Sequence, residues 1–205
     1  MIGKAKEACV EVREDKVLDE NDYNLIHVTG TSFNETDLVD RDFGVSVSNS
    51  YRLVRTAEMY QWEEYVETEH EEKVKKYRTV WSRHHIDSSS FPPGHENPSK
   101  AAWAFQSESQ EASRVTLGAF QMTHSQISRA GTSRTKMVNW DESNAIEETA
   151  DRMSSCGMKP FEQKGDMLVS SPEKALDSEN AQVGEYRVFF QYAECGLTTI
   201  IAQQI

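Results

Sequence analysis

Histidines and carboxylates come closest to a reactive pattern at two places in this chain. His84 and His85 are followed by Asp87, and His95 is followed directly by Glu96 within "PPGHENPS". An imidazole beside a carboxylate can relay protons near neutral pH or ligate a metal. On a strand, neighbours point to opposite faces, so only His85 and Asp87 could share an ion, and two ligands do not make a site. His95 and Glu96 could serve a hydrolase, but that chemistry needs a third, orienting group, and a turn histidine bonded to backbone is the commoner occupant of such a loop. The acid-rich stretches at 19–22 and 69–72 lack the calcium-loop pattern, and no P-loop, G-x-G-x-x-G or G-x-S-x-G string is present. We assign no catalytic residue, no metal and no cofactor. Asn34-Glu35-Thr36 is a glycosylation sequon. Cys9, Cys156 and Cys195 are widely spaced with no C-x-x-C pair, so at most one bridge forms and one thiol stays free.

The chain that must position these groups has 205 residues and a formal charge of −12. That length suits one domain with a real core. The charge disfavours nucleic acid and anionic lipid headgroups as partners. No window reaches the roughly 18 consecutive apolar residues of a membrane span. No signal-peptide core opens the chain.

Over residues 1–18, Ala5, Ala8, Cys9 and Val12 fall at the spacing of one helical face, which predicts a short amphipathic helix. "NLIHVTG" reads as a buried strand stopping at Gly30, and from Val45 an alternating pattern places Val45, Val47, Tyr51 and Leu53 on one face. "TAEMYQWEEYVETE" and "KVKKYRTVWS" form a hairpin with an acidic tip, in which Tyr60 and Trp62 share a face and Trp62 is expected to be buried. Residues 87–100 are a loop, followed by strands "WAFQSES" and "RVTLGAF". Thr123 with Gln126 forms a capping box for a two-turn helix closed by Gly131. A second helix carries Ile146, Ala150 and Met153 on its apolar face, with Ser143 or Asn144 capping and Gly157 closing. "VGEYRVFFQY" and "LTTIIAQQI" are strands, and the pattern breaks off near Ile205 as if the chain were cut there. The sum is an α+β domain: a mainly antiparallel, twisted sheet of about seven to nine strands with two or three short helices.

"LIHVTG", "FGVSVSNSYRLVRTAEMYQWEE", "YRTVWS", "FPPGHENPS", "LGAFQMTHSQI", "VGEYRVFFQY" and "TTIIAQQ" occur in an order that resembles the transmembrane protein 43 family, also called LUMA. The most specific pieces are Glu58, Met59, Tyr60, Gln61 and Trp62, then Gly94, His95, Asn97 and Pro98, with Gly184 opening the late strand. The resemblance implies a single lumenal domain over 1–205, its first helix following a membrane span, anchored by spans absent from this chain. It implies residence in the endoplasmic reticulum membrane and the nuclear inner membrane, and a scaffold or interaction role in nuclear-envelope and membrane organisation. Full-length members are linked to lamins and emerin. Lamins lie across the membrane, so the expected partners of this domain are lumenal or membrane proteins and further copies of itself. The alternative is a lumenal ligand- or lipid-sensing domain, with a metal-dependent hydrolase behind it.

Overall fold

The structure, a computed structural model, describes residues 9–69, 71–130, 135–137, 147–173 and 180–205. In chain order its elements are β1 (Cys9–Val12), β2 (Leu25–Phe33), β3 (Leu38–Asp40), β4 (Val45–Val47), β5 (Ser50–Glu69), β6 (Glu72–Ser82) and β7 (Glu108–Glu111). There follow β8 (Thr116–Leu117), β9 (Phe120–Gln121), α1 (His124–Arg129), β10 (Thr135–Met137), α2 (Glu147–Ser155), β11 (Glu162–Lys164), β12 (Met167–Ser170), β13 (Tyr186–Glu194) and β14 (Leu197–Gln203). Single 3-10 turns lie at Asp19–Asn21 and Lys100–Ala102. The architecture is α+β and mostly antiparallel sheet, as the sequence predicts.

The strands divide between two main sheets rather than one. The larger has the order β11-β12-β13-β5-β6, with β10 also pairing β13 and β7 also pairing β5. The smaller is built on β2, which pairs antiparallel with β14 on one edge and parallel with β1 on the other, and continues through β8 and β9. β3 and β4 form a separate hairpin. The split arises where β13 passes into β14: the pairing with β5 shifts register between Ala193 and Glu194, and Gly196 redirects the chain onto β2. A second break lies at Asn49, whose left-handed φ of 43° separates β4 from β5 inside what reads as one alternating strand.

Each sheet has its own core. Leu53, Ala57 and Met59 of β5, Val188 and Phe190 of β13, Phe43, Phe105 and Met153 pack between the larger sheet, the β3–β4 hairpin and α2. Val28, Tyr51, Val115, Leu117, Met122 and Ile127 form the second. β5 contributes to both, through Leu53 and Tyr51 on one face two residues apart.

A buried ion pair sits beside the first core. Arg55, 5 % exposed, donates to Asp40 Oδ1 at 2.8 Å, to Asp42 Oδ2 at 2.8 Å and to Glu108 Oε2 at 2.9 Å. Its guanidinium lies 5.4 Å from the ring centre of Phe43 and 6.0 Å from that of Phe105. The arrangement ties the β3–β4 hairpin to the larger sheet. Burial nonetheless pushes the Asp40 carboxyl above its ordinary range, with Arg55 opposing. Desolvation thus outweighs the ion pair, the usual balance for a buried salt bridge.

Several expectations are corrected. Cys9–Val12 is a strand, not part of a helix, because β2 offers it a parallel partner; residues 1–8 of the expected helix lie outside the described residues. β2 runs through Gly30 to Phe33. The glycine is needed for close approach: a Cβ there would lie 1.8 Å from the Glu14 carboxylate, which accepts from Thr31 N at 2.7 Å. "WAFQSES" is strand only from Glu108, and "RVTLGAF" is two short strands turned at Gly118, φ 56°. In α2 the buried residues are Thr149 and Met153, with Ala150 exposed, because the Thr149 hydroxyl bonds the Asp42 carbonyl and sets the helix rotation. The Thr123–Gln126 capping box is present as expected, while Gly131, Ser143, Asn144 and Ile146 lie outside the described residues.

Replacing Arg55 by Leu strands Asp40 without its countercharge and should cost about 3–5 kcal/mol at neutral pH. A carboxyl whose folded-state value lies above its unfolded one binds its proton more tightly in the fold, so acid relieves the penalty and rising pH restores it. Thermal unfolding of both proteins should therefore show the deficit narrowing from pH 7 to pH 5. A deficit that widens with acid contradicts the assignment.

Candidate functional site

The residues singled out in the sequence meet where β5 leaves the core. β5 is 20 residues long, with no glycine or proline to stop it, and its second half pairs only with β6 as a ribbon closed between Glu69 and Glu72. Glu71 takes the left-handed turn position at φ 73°. Beyond Gln61 no described residue of this strand is buried, and from Tyr60 on its free edge needs other partners for its backbone.

Those partners come in sequence. β13 pairs with β5 as far as Met59. One step on, Tyr60 N donates to Glu185 O and Tyr60 O accepts from Gly184 N, both at 2.8 Å. Gly184 turns the chain away with φ 93°, and a Cβ there would sit 3.1 Å from Pro98 and from Pro172. The next rung is a side chain. Asn97 accepts from Trp62 N at 2.7 Å and donates to Trp62 O at 2.9 Å, so its amide stands in for a strand peptide group. Asn97 is held in turn by Ser88, whose Oγ accepts from Asn97 N at 2.8 Å.

Gln61, fully buried on the opposite face, repeats the device. Its Nε2 donates to His84 O at 3.0 Å and its Oε1 accepts from Ile86 N at 2.9 Å. The loop from Arg83 to Ser99 is thereby stapled to both sides of β5. Ser107 does the same further back, accepting from Ala57 N at 3.0 Å.

Rings and charges fill the space between. His95 lies edge-on to Trp62 at 4.4 Å and tilted against Tyr77 at 4.7 Å, and Phe91 packs edge-on against Tyr77 at 5.2 Å. Tyr60 packs on Trp81 at 5.2 Å and shares a hydrogen bond with Thr79 at 2.7 Å. Glu58, 9 % exposed, accepts from Arg187 Nε at 2.8 Å, and that guanidinium lies 4.2 Å over the Trp81 ring.

The candidate reactive pairs do not form. Glu96 accepts from Gly94 N at 3.0 Å, and that bond holds its carboxyl below the usual value. His95 Nδ1 is buried between rings with no hydrogen-bond partner among the described residues. His85 Nε2 bonds Pro98 O at 3.0 Å, and Asp87 accepts from Ser89 N, which lowers its pKa. Among the described residues no three His, Cys, Asp or Glu side chains gather as a metal site. Two further expectations change. Trp62 is half-buried rather than buried, since the strand's interior face here carries Met59 and Gln61. The Asn34 sequon is not open: Asn34 is 3 % exposed, and its Nδ2 donates to Thr36 O at 2.7 Å and Ser50 O at 2.9 Å. A sugar on that nitrogen replaces one of its two hydrogens, so at least one of these bonds would be lost, and a 3 % exposed side chain leaves no room for it.

Arg187, Ser88, Ser107 and Glu185 belong to this site and were not singled out in the sequence. Asn97-Pro98 gave a turn signal but no hint of a strand rung, because the partner lies 35 residues away.

Asn97→Ala should cost about 1–3 kcal/mol, the range for lost partially buried hydrogen bonds. Asn97→Asp should not restore it, since a carboxylate cannot donate to Trp62 O. Thermal melts of both variants check this, and a wild-type midpoint for either removes the rung from the account. Expression in a glycosylating host followed by peptide mass spectrometry should find Asn34 unmodified, and quantitative occupancy would mean the 34–50 contact does not form.

The sequence model of a family described as Transmembrane protein 43 matches residues 59–205. No curated protein and no solved structure matches. The matched span starts inside the signature at Met59 and takes in the ribbon, the stapling loop and β13–β14. No helix among the described residues is long and apolar enough to cross a membrane. With well over half of its length matched, this chain belongs to the transmembrane protein 43 family, a family of membrane proteins.

Proposed function

We propose that this chain is a non-enzymatic scaffold and interaction domain on the lumenal side of an endoplasmic reticulum and inner nuclear membrane protein that helps organise the nuclear envelope. One observation carries the reading: the two histidine–carboxylate pairs singled out in the sequence are each bonded within their own loop or packed against the ribbon rather than to each other. His85 is bonded to Pro98, His95 is enclosed by Trp62 and Tyr77, Glu96 caps Gly94 and Asp87 caps Ser89. A general acid or base must be held against the atom it serves, and Asp87 and Glu96, though exposed, each accept a backbone N–H of their own loop. What the clasp does build is a braced two-stranded ribbon standing off the core. Family membership supports a membrane-anchored setting, and the resemblance supports the lumenal side and partners that are lumenal or membrane proteins, further copies of the chain included. The Cys195 thiol, pushed up to about 11 by burial, stays protonated and suits a packing role in such a compartment.

The test is protease protection of the full-length protein, tagged within this domain, in intact microsomes. The expected result is protection that detergent abolishes. Digestion without detergent puts the domain on the cytosolic or nucleoplasmic side, returns lamins as direct partners and overturns the topology.

A further inference from the structure

The smaller sheet has an outer face unlike the rest of the molecule. Along β2 the outward positions are Leu25, His27, Thr29, Thr31 and Phe33, and along β14 they are Leu197, Thr199, Ile201 and Gln203. The register sets Leu197 opposite Thr31, Thr199 opposite Thr29 and Ile201 opposite His27, and the Thr29 and Thr199 hydroxyls bond each other at 2.8 Å, which fixes them on one side. Phe33, Leu197 and Ile201 are 53 %, 76 % and 62 % exposed. Nothing among the described residues covers them.

The face is also uncharged. "LIHVTGTSF" and "LTTIIAQ" hold no Asp, Glu, Lys or Arg in a chain with 34 acidic and 22 basic residues. His27 and, at the margin on β1, Glu11 opposite it and the Cys9 thiol opposite Leu25 are its titratable groups among the described residues. A protein partner chosen by charge complementarity would find none here. A second copy would approach against the repulsion of two chains at −12. An anionic leaflet would be repelled likewise, whereas a zwitterionic one carries no net charge to oppose contact, and exposed apolar side chains on a neutral face suit its interfacial zone. The first and last described strands, β1 and β14, both pair with β2, so the membrane-anchored setting proposed above is compatible with this sheet facing the bilayer.

We propose that the β2–β14 face rests on a zwitterionic phosphatidylcholine bilayer with Phe33, Leu197 and Ile201 inserted at the interface. The proposal rests on the reading above for its tether alone; contact with lipid is a property of this chain and is tested without reference to compartment.

Flotation of the 205-residue chain with phosphatidylcholine vesicles should carry it with lipid. The Leu197→Glu/Ile201→Glu variant should lose bound fraction at least about tenfold, given the cost of placing charges in the interface. Adding phosphatidylserine should weaken binding. In case the variant does not fold, spin-labelled phosphatidylcholine and the wild-type chain give a second readout: amide signals of Phe33, Leu197 and Ile201 should broaden while Val66 on the ribbon stays sharp. Equal flotation of a folded variant, binding that grows with phosphatidylserine, or no lipid contact at all overturns the proposal. Sedimentation that instead shows dimers lost in the variant assigns the face to a second copy.

Discussion

A strand of twenty residues, about 66 Å at 3.3 Å per residue, cannot stay extended on side-chain propensity alone, because each backbone amide and carbonyl along it needs a partner. The rest of the structure is arranged around that demand on β5. β13 serves one edge up to Met59, the Gly184–Glu185 turn serves Tyr60, and Asn97 serves Trp62. On the other edge β7, Ser107 and β6 follow one another. Side chains take over where strands run out. A primary amide offers a donor and an acceptor in the spacing of a peptide group, so Asn97 and Gln61 can replace a backbone where a serine supplies a single oxygen.

Charge is handled differently along the same strand. Near the core, Arg55 and Glu58 are enclosed and meet several partners each, so removing one partner exposes the full desolvation cost. Toward the tip, Glu64 with Lys75, Lys76 with Glu67 and Arg78 with Glu63 pair across the ribbon in water. Such pairs contribute little stability individually but discourage the ribbon from pairing with other sheets. The ribbon's rigidity therefore comes from the clasp at its base. The interaction role proposed above would use that kind of surface, held in one orientation relative to the core.

The sequence made local features legible and left distant ones obscure. The hairpin tip, the capping box at Thr123 and the alternation of Tyr186, Val188 and Phe190 depend on residues within a few positions of one another, and the structure has them. The strand at Cys9–Val12 depends on β2, the break at Asn49 on how two sheets meet, and the rotation of α2 on the Asp42 carbonyl. Periodicity carries none of that. The signature blocks around Trp62 and Asn97 were visible as blocks, and their meaning was not, since a polar residue before a proline reads as a turn wherever it occurs. Asn34 shows the converse: its triplet reads as a modification site, and its neighbours in space make it an internal strut.

The central claim is that side-chain amides hold the base of the ribbon as backbone would. Native-state amide hydrogen exchange tests it most directly, at Trp62 and Ile86, whose N–H groups donate to Asn97 and Gln61. The account predicts that both exchange as slowly as the β5 amides paired with β13, such as those flanking Ala57 in the core. Exchange at the rate of an open loop would mean the clasp does not persist in solution, and the signature residues would need another explanation.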